Sequence, residues 1–116
     1  QGWTYPGHTL PVRDMIPFNN NKFMSGDVGG TLITWDIKTQ QMEKMKLEIP
    51  SSKERGLLCI CYAMKRQLIV GGCSYGTLIV KDMFRDNYRL IKKVTESDIL
   101  SLCCLENFKQ GKVMVI

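Results

Sequence analysis

Apolar positions in this chain fall in short runs divided by glycine and polar clusters, which is the spacing of strands. Residues 57–63 and 68–72 are such runs, and residues 77–81, Thr-Leu-Ile-Val-Lys, are rich in β-branched side chains. Residues 36–48 allow a second reading, because Met42, Met45 and Leu47 approximate helical spacing. Met45, Leu47 and Ile49 also alternate with Lys46 and Glu48, and that period of two favours a half-exposed edge strand. The matching segment 88–94, Tyr-Arg-Leu-Ile-Lys-Lys-Val, reads as strand too. Gly-Asp-Val-Gly-Gly at 26–30 and Gly-Gly-Cys-Ser-Tyr-Gly at 71–76 read as hairpin turns, where the chain must reverse.

The pattern repeats. Gly30-Thr31-Leu32-Ile33-Thr34-Trp35-Asp36 aligns with Gly76-Thr77-Leu78-Ile79-Val80-Lys81-Asp82 at an offset of 46. Extended backwards without a gap, the offset sets Val12 over Leu58, Phe23 over Ile69, Met24 over Val70 and Gly26 over Gly72. A weaker third copy lays residues 100–103 over 58–61 and, after a small insertion, 112–115 over 67–70. Each unit of about 46 residues is therefore expected to hold four strands. A period of this length signals a repeat architecture.

Composition narrows the class. The chain has 116 residues, 44% hydrophobic and 23% charged, which argues against disorder. Its apolar runs fall far short of the ~20 residues of a membrane helix, so no membrane span is expected. No retained secretory signal is expected from the pattern of these residues, although a first residue that is Gln and not Met leaves room for a preceding segment. Five cysteines at uneven spacing (Cys59, Cys61, Cys73, Cys103, Cys104) make a disulfide framework unexpected. They read as buried thiols of a protein from the cytoplasm or nucleus.

Gly7-His8, Ser25-Gly26 and the run ending in Trp35-Asp36 resemble the signature of a WD-repeat (WD40-type) β-propeller. The resemblance implies an all-β fold of antiparallel four-stranded blades. It also implies a layout: residues 1–6 end the outer strand of a preceding blade, 7–50 form one blade, 51–96 a degenerate blade, and 97–116 the first strands of a third. About two and a half blades cannot close a ring of the usual 4–8, so a fragment of a larger propeller is expected, with an open arc as the other architecture. In this family a His, a Ser or Thr, an Asp and the Trp share a hydrogen-bonded network that fastens the blade. His8, Ser25 and Trp35 fall on three of those places, and Gly29 falls on the Asp place, which leaves the network incomplete. The second unit has Gly71, Tyr75 and Lys81 there and must rely on apolar packing. It is expected to be the less stable blade, with the Lys81 stem over the sheet and its ammonium in water.

Chemistry beyond this is weak. A Ser-His-Asp arrangement of Ser25, His8 and Asp27 can be drawn, but no nucleophile elbow or oxyanion hole accompanies it. Zinc held by Cys59, Cys61, Cys73 and His8 lacks the usual loop spacing, and the glycine turns lack the ending of a P-loop. The expectation is a non-enzymatic protein with no catalytic, metal or cofactor site. The net charge of +5 comes from scattered basic residues. The function expected is a scaffold for protein or peptide partners in a multiprotein complex, bound on loops at one rim. Arg13, Lys53, Arg55 and Tyr75 are the candidate contacts there. The alternative is a basic propeller surface that binds nucleic acid or phosphoinositide.

Overall fold

The computed structural model describes residues 7–49, 56–107 and 112–115. Two antiparallel four-stranded sheets follow one another, each a simple meander in chain order. The first holds β1 (Val12–Asn19), β2 (Lys22–Asp27), β3 (Thr31–Asp36) and β4 (Met42–Lys46). The second holds β5 (Leu57–Ala63), β6 (Leu68–Cys73), β7 (Thr77–Asp82) and β8 (Asn87–Lys93). A two-stranded sheet, β9 (Cys104–Asn107) with β10 (Lys112–Val115), comes after them. Within the ambiguous segment residues 42–46 are strand and not helix: β4 pairs with β3 along its whole length, Leu32 opposite Met45 and Trp35 opposite Met42, and the strand ends before Leu47.

The two sheets pack face to face around Met24, Leu32 and Leu47 from the first and Leu57, Ile60, Ile69 and Ile79 from the second. Removing this apolar surface from water is what holds them together. Phe18 of β1 lies against Tyr62 of β5, ring centroids 4.4 Å apart. At the outer edge the Tyr88 hydroxyl accepts the backbone N–H of Glu48 at 2.7 Å.

Cross-strand register corrects the gap-free alignment. Val12 stands opposite Asp27 and Leu57 stands opposite Cys73, so the inner strands match at an offset of 45 while β2 and β6 keep 46. The β5–β6 turn thus has one residue more than the β1–β2 turn, which a repeat search on β2 and β3 does not reveal. The matched places are then Met15 with Ile60, Phe23 with Ile69, Ile33 with Ile79 and Trp35 with Lys81.

That matching exposes an asymmetry. In the second sheet Ile60, Ile69 and Ile79 are shut against the first sheet. In the first sheet the corresponding face is open along β1, where Met15 is 60% exposed and Val12 46%, while Ile33 and Trp35 behind them are buried. The inner strand's apolar side is thus covered in the second sheet and uncovered in the first, and the sheets do not close on themselves.

Three further expectations change. Residues 100–103 are not strand; β9 begins at Cys104, so the third copy starts later than the alignment placed it. The five cysteines are not all buried thiols. Cys61 of β5 and Cys104 of β9 are joined in a disulfide, because neighbouring inner strands bring their Cα atoms to 6.3 Å, while Cys103 is exposed. Nor does the Lys81 ammonium sit in water: its side chain is only 11% exposed, and Nζ lies 3.1 Å from the Asp86 carboxylate and 5.2 Å from the Tyr88 ring centre.

Candidate binding rim and the network behind it

One end of both sheets carries the β2–β3 and β6–β7 connections and the start of the inner strands. Gly30 turns the first connection at φ 92°, and a Cβ there would come within 2.5 Å of the Leu47 carbonyl oxygen. Gly76 turns the second at φ 81°. Behind the first turn lies a buried chain of hydrogen bonds. The Asp27 carboxylate accepts from His8 Nδ1 at 2.9 Å and, through its other oxygen, from the N–H groups of Gly29 (2.9 Å) and Thr31 (3.1 Å). Since a carboxylate only accepts, the Nδ1–H group donates to Asp27, and on the other side of the ring Nε2 is hydrogen-bonded to the Ser25 hydroxyl at 2.6 Å. The Ser25 oxygen in turn accepts the indole N–H of Trp35 at 2.8 Å.

The network therefore has four members, and its carboxylate is Asp27, not the Gly29 position. Sequence spacing missed it because Asp27 ends β2 and folds its side chain back over the turn. The signal was available in Ser25-Gly26-Asp27, which places both polar groups on one face of the strand. The connectivity is that of a Ser-His-Asp triad. Here, however, Ser25 is buried at 3% exposure with its oxygen engaged by Trp35, so the chain of bonds ties loop, turn and two strands together. A shallow groove of about 370 Å³ lies beside it, lined by His8, Met15, Phe23 and Trp35.

Of the candidate contacts, Arg13 is exposed and occupies the β1 bulge between Val12 and Asp14. Tyr75 is 48% exposed and takes a left-handed φ of 62° within a single 3₁₀ turn. Its N–H is held by the Asp98 carboxylate at 2.8 Å. Both stand at the same end of their sheets. Lys53 and Arg55 lie outside the described residues, as do residues 1–6.

No protein-family model matches the chain, and no curated protein matches it. Solved structures do. The WD40 repeats of RRP9 superpose on 79% of this chain with a TM-score of 0.62 at 11% identity, over 28% of that protein's length. The WD40 β-propeller domain of Doa1 gives 0.63 at 20% identity, over 83% of this chain and 32% of that one. U3-55K gives 0.63 at 8% identity, over 95% and 40%. This chain thus has the all-β fold of WD40-type propeller blades, two whole four-stranded sheets in an unclosed arc. It spans about a third of the length of the propellers it matches.

Proposed function

We propose that this chain is part of a WD-repeat propeller that acts as a non-catalytic scaffold, presenting one rim to protein or peptide partners in a multiprotein complex. The fold neighbours support a scaffold role. The observation that carries the reading is Tyr75: a half-exposed aromatic residue whose backbone is fixed by a left-handed φ and an Asp98 hydrogen bond to its N–H, on a turn backed by packed sheets. A turn already ordered before binding loses little entropy on contact, and Tyr and Arg are enriched among the residues that dominate binding energy. Arg13 adds a cation at the same end, and Lys53 and Arg55 belong to the same proposed rim. The open apolar face of the first sheet is filled, in this reading, by another blade, so the remainder of the propeller is needed for closure. The compartment proposed is cytoplasm or nucleus.

The test is recovery of partners from cell extract by the full-length protein and by its Arg13→Ala, Arg55→Ala and Tyr75→Ala variants. Loss of the same partners from all three supports the rim. Unchanged recovery from the triple variant overturns it. The rival basic-surface reading demands an affinity for nucleic acid or anionic lipid that collapses as salt rises.

A further inference from the structure

The opposite end of the sheets carries a second surface, unlike the rim. In the second sheet the β5–β6 and β7–β8 turns bound a groove of about 430 Å³ whose walls include Lys65, Arg66, Arg85 and Arg89, with Asp82 as its one carboxylate. All four cations are exposed, and so is Phe84 beside them, at 77%. The groove is rigid. Asp82 Oδ1 accepts the N–H groups of Phe84 (2.9 Å) and Arg85 (3.0 Å), its Oδ2 accepts from Arg89 Nη1 at 3.2 Å, and the Met83 N–H ties the two turns through the Gln67 carbonyl at 2.8 Å.

The first sheet provides an internal control. Its turns use the same backbone device: Asp36 Oδ1 accepts from Lys38 and Thr39, and the Ile37 N–H bonds the Asn21 carbonyl. Yet its β1–β2 turn carries Asn19, Asn20 and Asn21, and Lys38 and Thr39 stand where the second sheet has Phe84 and Arg85. The corresponding groove has one lysine, Lys22, against two carboxylates, Asp36 and Glu43. Arg89 has no counterpart at all, because it is the extra residue of a β-bulge between Tyr88 and Leu90. The turn architecture does not require the cations, so they are decoration specific to this blade.

We propose that this groove is a docking site for a short acidic peptide segment of a partner protein, with an apolar residue set against Phe84. Arg guanidinium groups pair carboxylates with two parallel hydrogen bonds, and an adjacent exposed ring selects a segment that is acidic and apolar together. Among the described residues the four-cation cluster occurs on one blade only. Asp82 at its base and Asp36 and Glu43 in the next groove interrupt it, so the described residues form no continuous cationic track for a nucleic-acid backbone. The site lies at the other end of the sheets from Arg13 and Tyr75 and can fail or hold independently of that rim.

The test is fluorescence anisotropy of the full-length protein with a labelled ten-residue peptide of Asp, Glu and one central Phe. A single-stranded oligonucleotide of equal charge and vesicles containing anionic lipid serve as the other probes. Saturable peptide binding is expected, weakened about tenfold by the double variant Arg66→Ala/Arg85→Ala and several-fold by Phe84→Ala, with circular dichroism unchanged. Tyr75→Ala should leave it intact. Binding of the oligonucleotide or the vesicles as tightly as the peptide, or an undiminished affinity in the double variant, overturns the proposal.

Discussion

The Asp14 carboxylate accepts the backbone N–H of Ile60 at 2.9 Å, so one side chain of the first sheet closes an edge group of the second. β5 is the edge strand of its sheet, and an edge N–H left without a partner at an interface costs free energy. Asp14→Ala should lower stability by about 1–2 kcal/mol, seen as a reduced urea midpoint with an unaltered m value. Asp14→Asn, which keeps an acceptor oxygen, should retain most of it. An unshifted midpoint in the alanine variant would remove this contact from the account.

The four-membered network makes an ordering prediction. Asp27→Ala strips partners from His8, Gly29 and Thr31 at once and should cost about 3 kcal/mol. Trp35→Phe keeps an aromatic ring but loses the indole N–H hydrogen bond and part of the buried indole's packing, about 2 kcal/mol. Thermal unfolding of the two variants checks the order, and a larger loss for Trp35→Phe would contradict it.

Much of this was legible in residues alone. The Gly30-to-Asp36 and Gly76-to-Asp82 copies reveal the repeat because third strands share one apolar alternation and one turn. His8, Ser25 and Trp35 stand out by type. Asp27 is visible only as the third member of a drawable Ser-His-Asp set and not as the carboxylate of the blade network, since that role depends on a side chain folding back over a turn. The one-residue shift between β1 and β5 was hidden for a similar reason: it sits in a polar turn with no pattern to align. The Cys61–Cys104 pairing and the cationic groove arise from packing between strands and turns distant in sequence, which no local periodicity encodes.

Two acidic residues give a pH dependence. Hydrogen bonds from Thr39 to Asp36, and from Arg85 to Asp82, hold both carboxyls below the ordinary carboxylate value, with burial opposing. Lys38 and Lys22 add to the first effect, and Phe84 with the Arg85 and Arg89 charges to the second. A carboxyl whose folded pKa is depressed stabilises the fold above its unfolded value of about 3.9, and that contribution is lost as pH falls through the folded value. The melting temperature should therefore fall as the pH drops below about 4. Asp36→Asn/Asp82→Asn should melt lower at neutral pH and show a flatter acid limb. An acid limb as steep as the parent's would count against this assignment.

The cysteines should separate by chemistry. Burial pushes Cys59 up to about 11, with the Asp14 charge adding to it, and pushes Cys73 up to about 12, with Cys59 adding to it. Neither forms appreciable thiolate near neutral pH, the species that alkylating reagents attack. Without reductant, iodoacetamide should modify the folded protein at Cys103 alone, and a non-reducing peptide map should contain the Cys61–Cys104 crosslink. Rapid modification of Cys73 in the folded protein, or a map without the crosslink, would contradict this arrangement.

The central claim is that the face holding Met15 and Phe23 in the first sheet is the same docking face that Ile60 and Ile69 present to it from the second, and is covered by another blade in the whole propeller. Met15→Cys in the full-length protein, followed by timed maleimide labelling and mass spectrometry, tests it directly. The account predicts labelling at position 15 roughly 100-fold slower than in the unfolded chain, as for a residue reached only by opening. Labelling at the unfolded rate would contradict it.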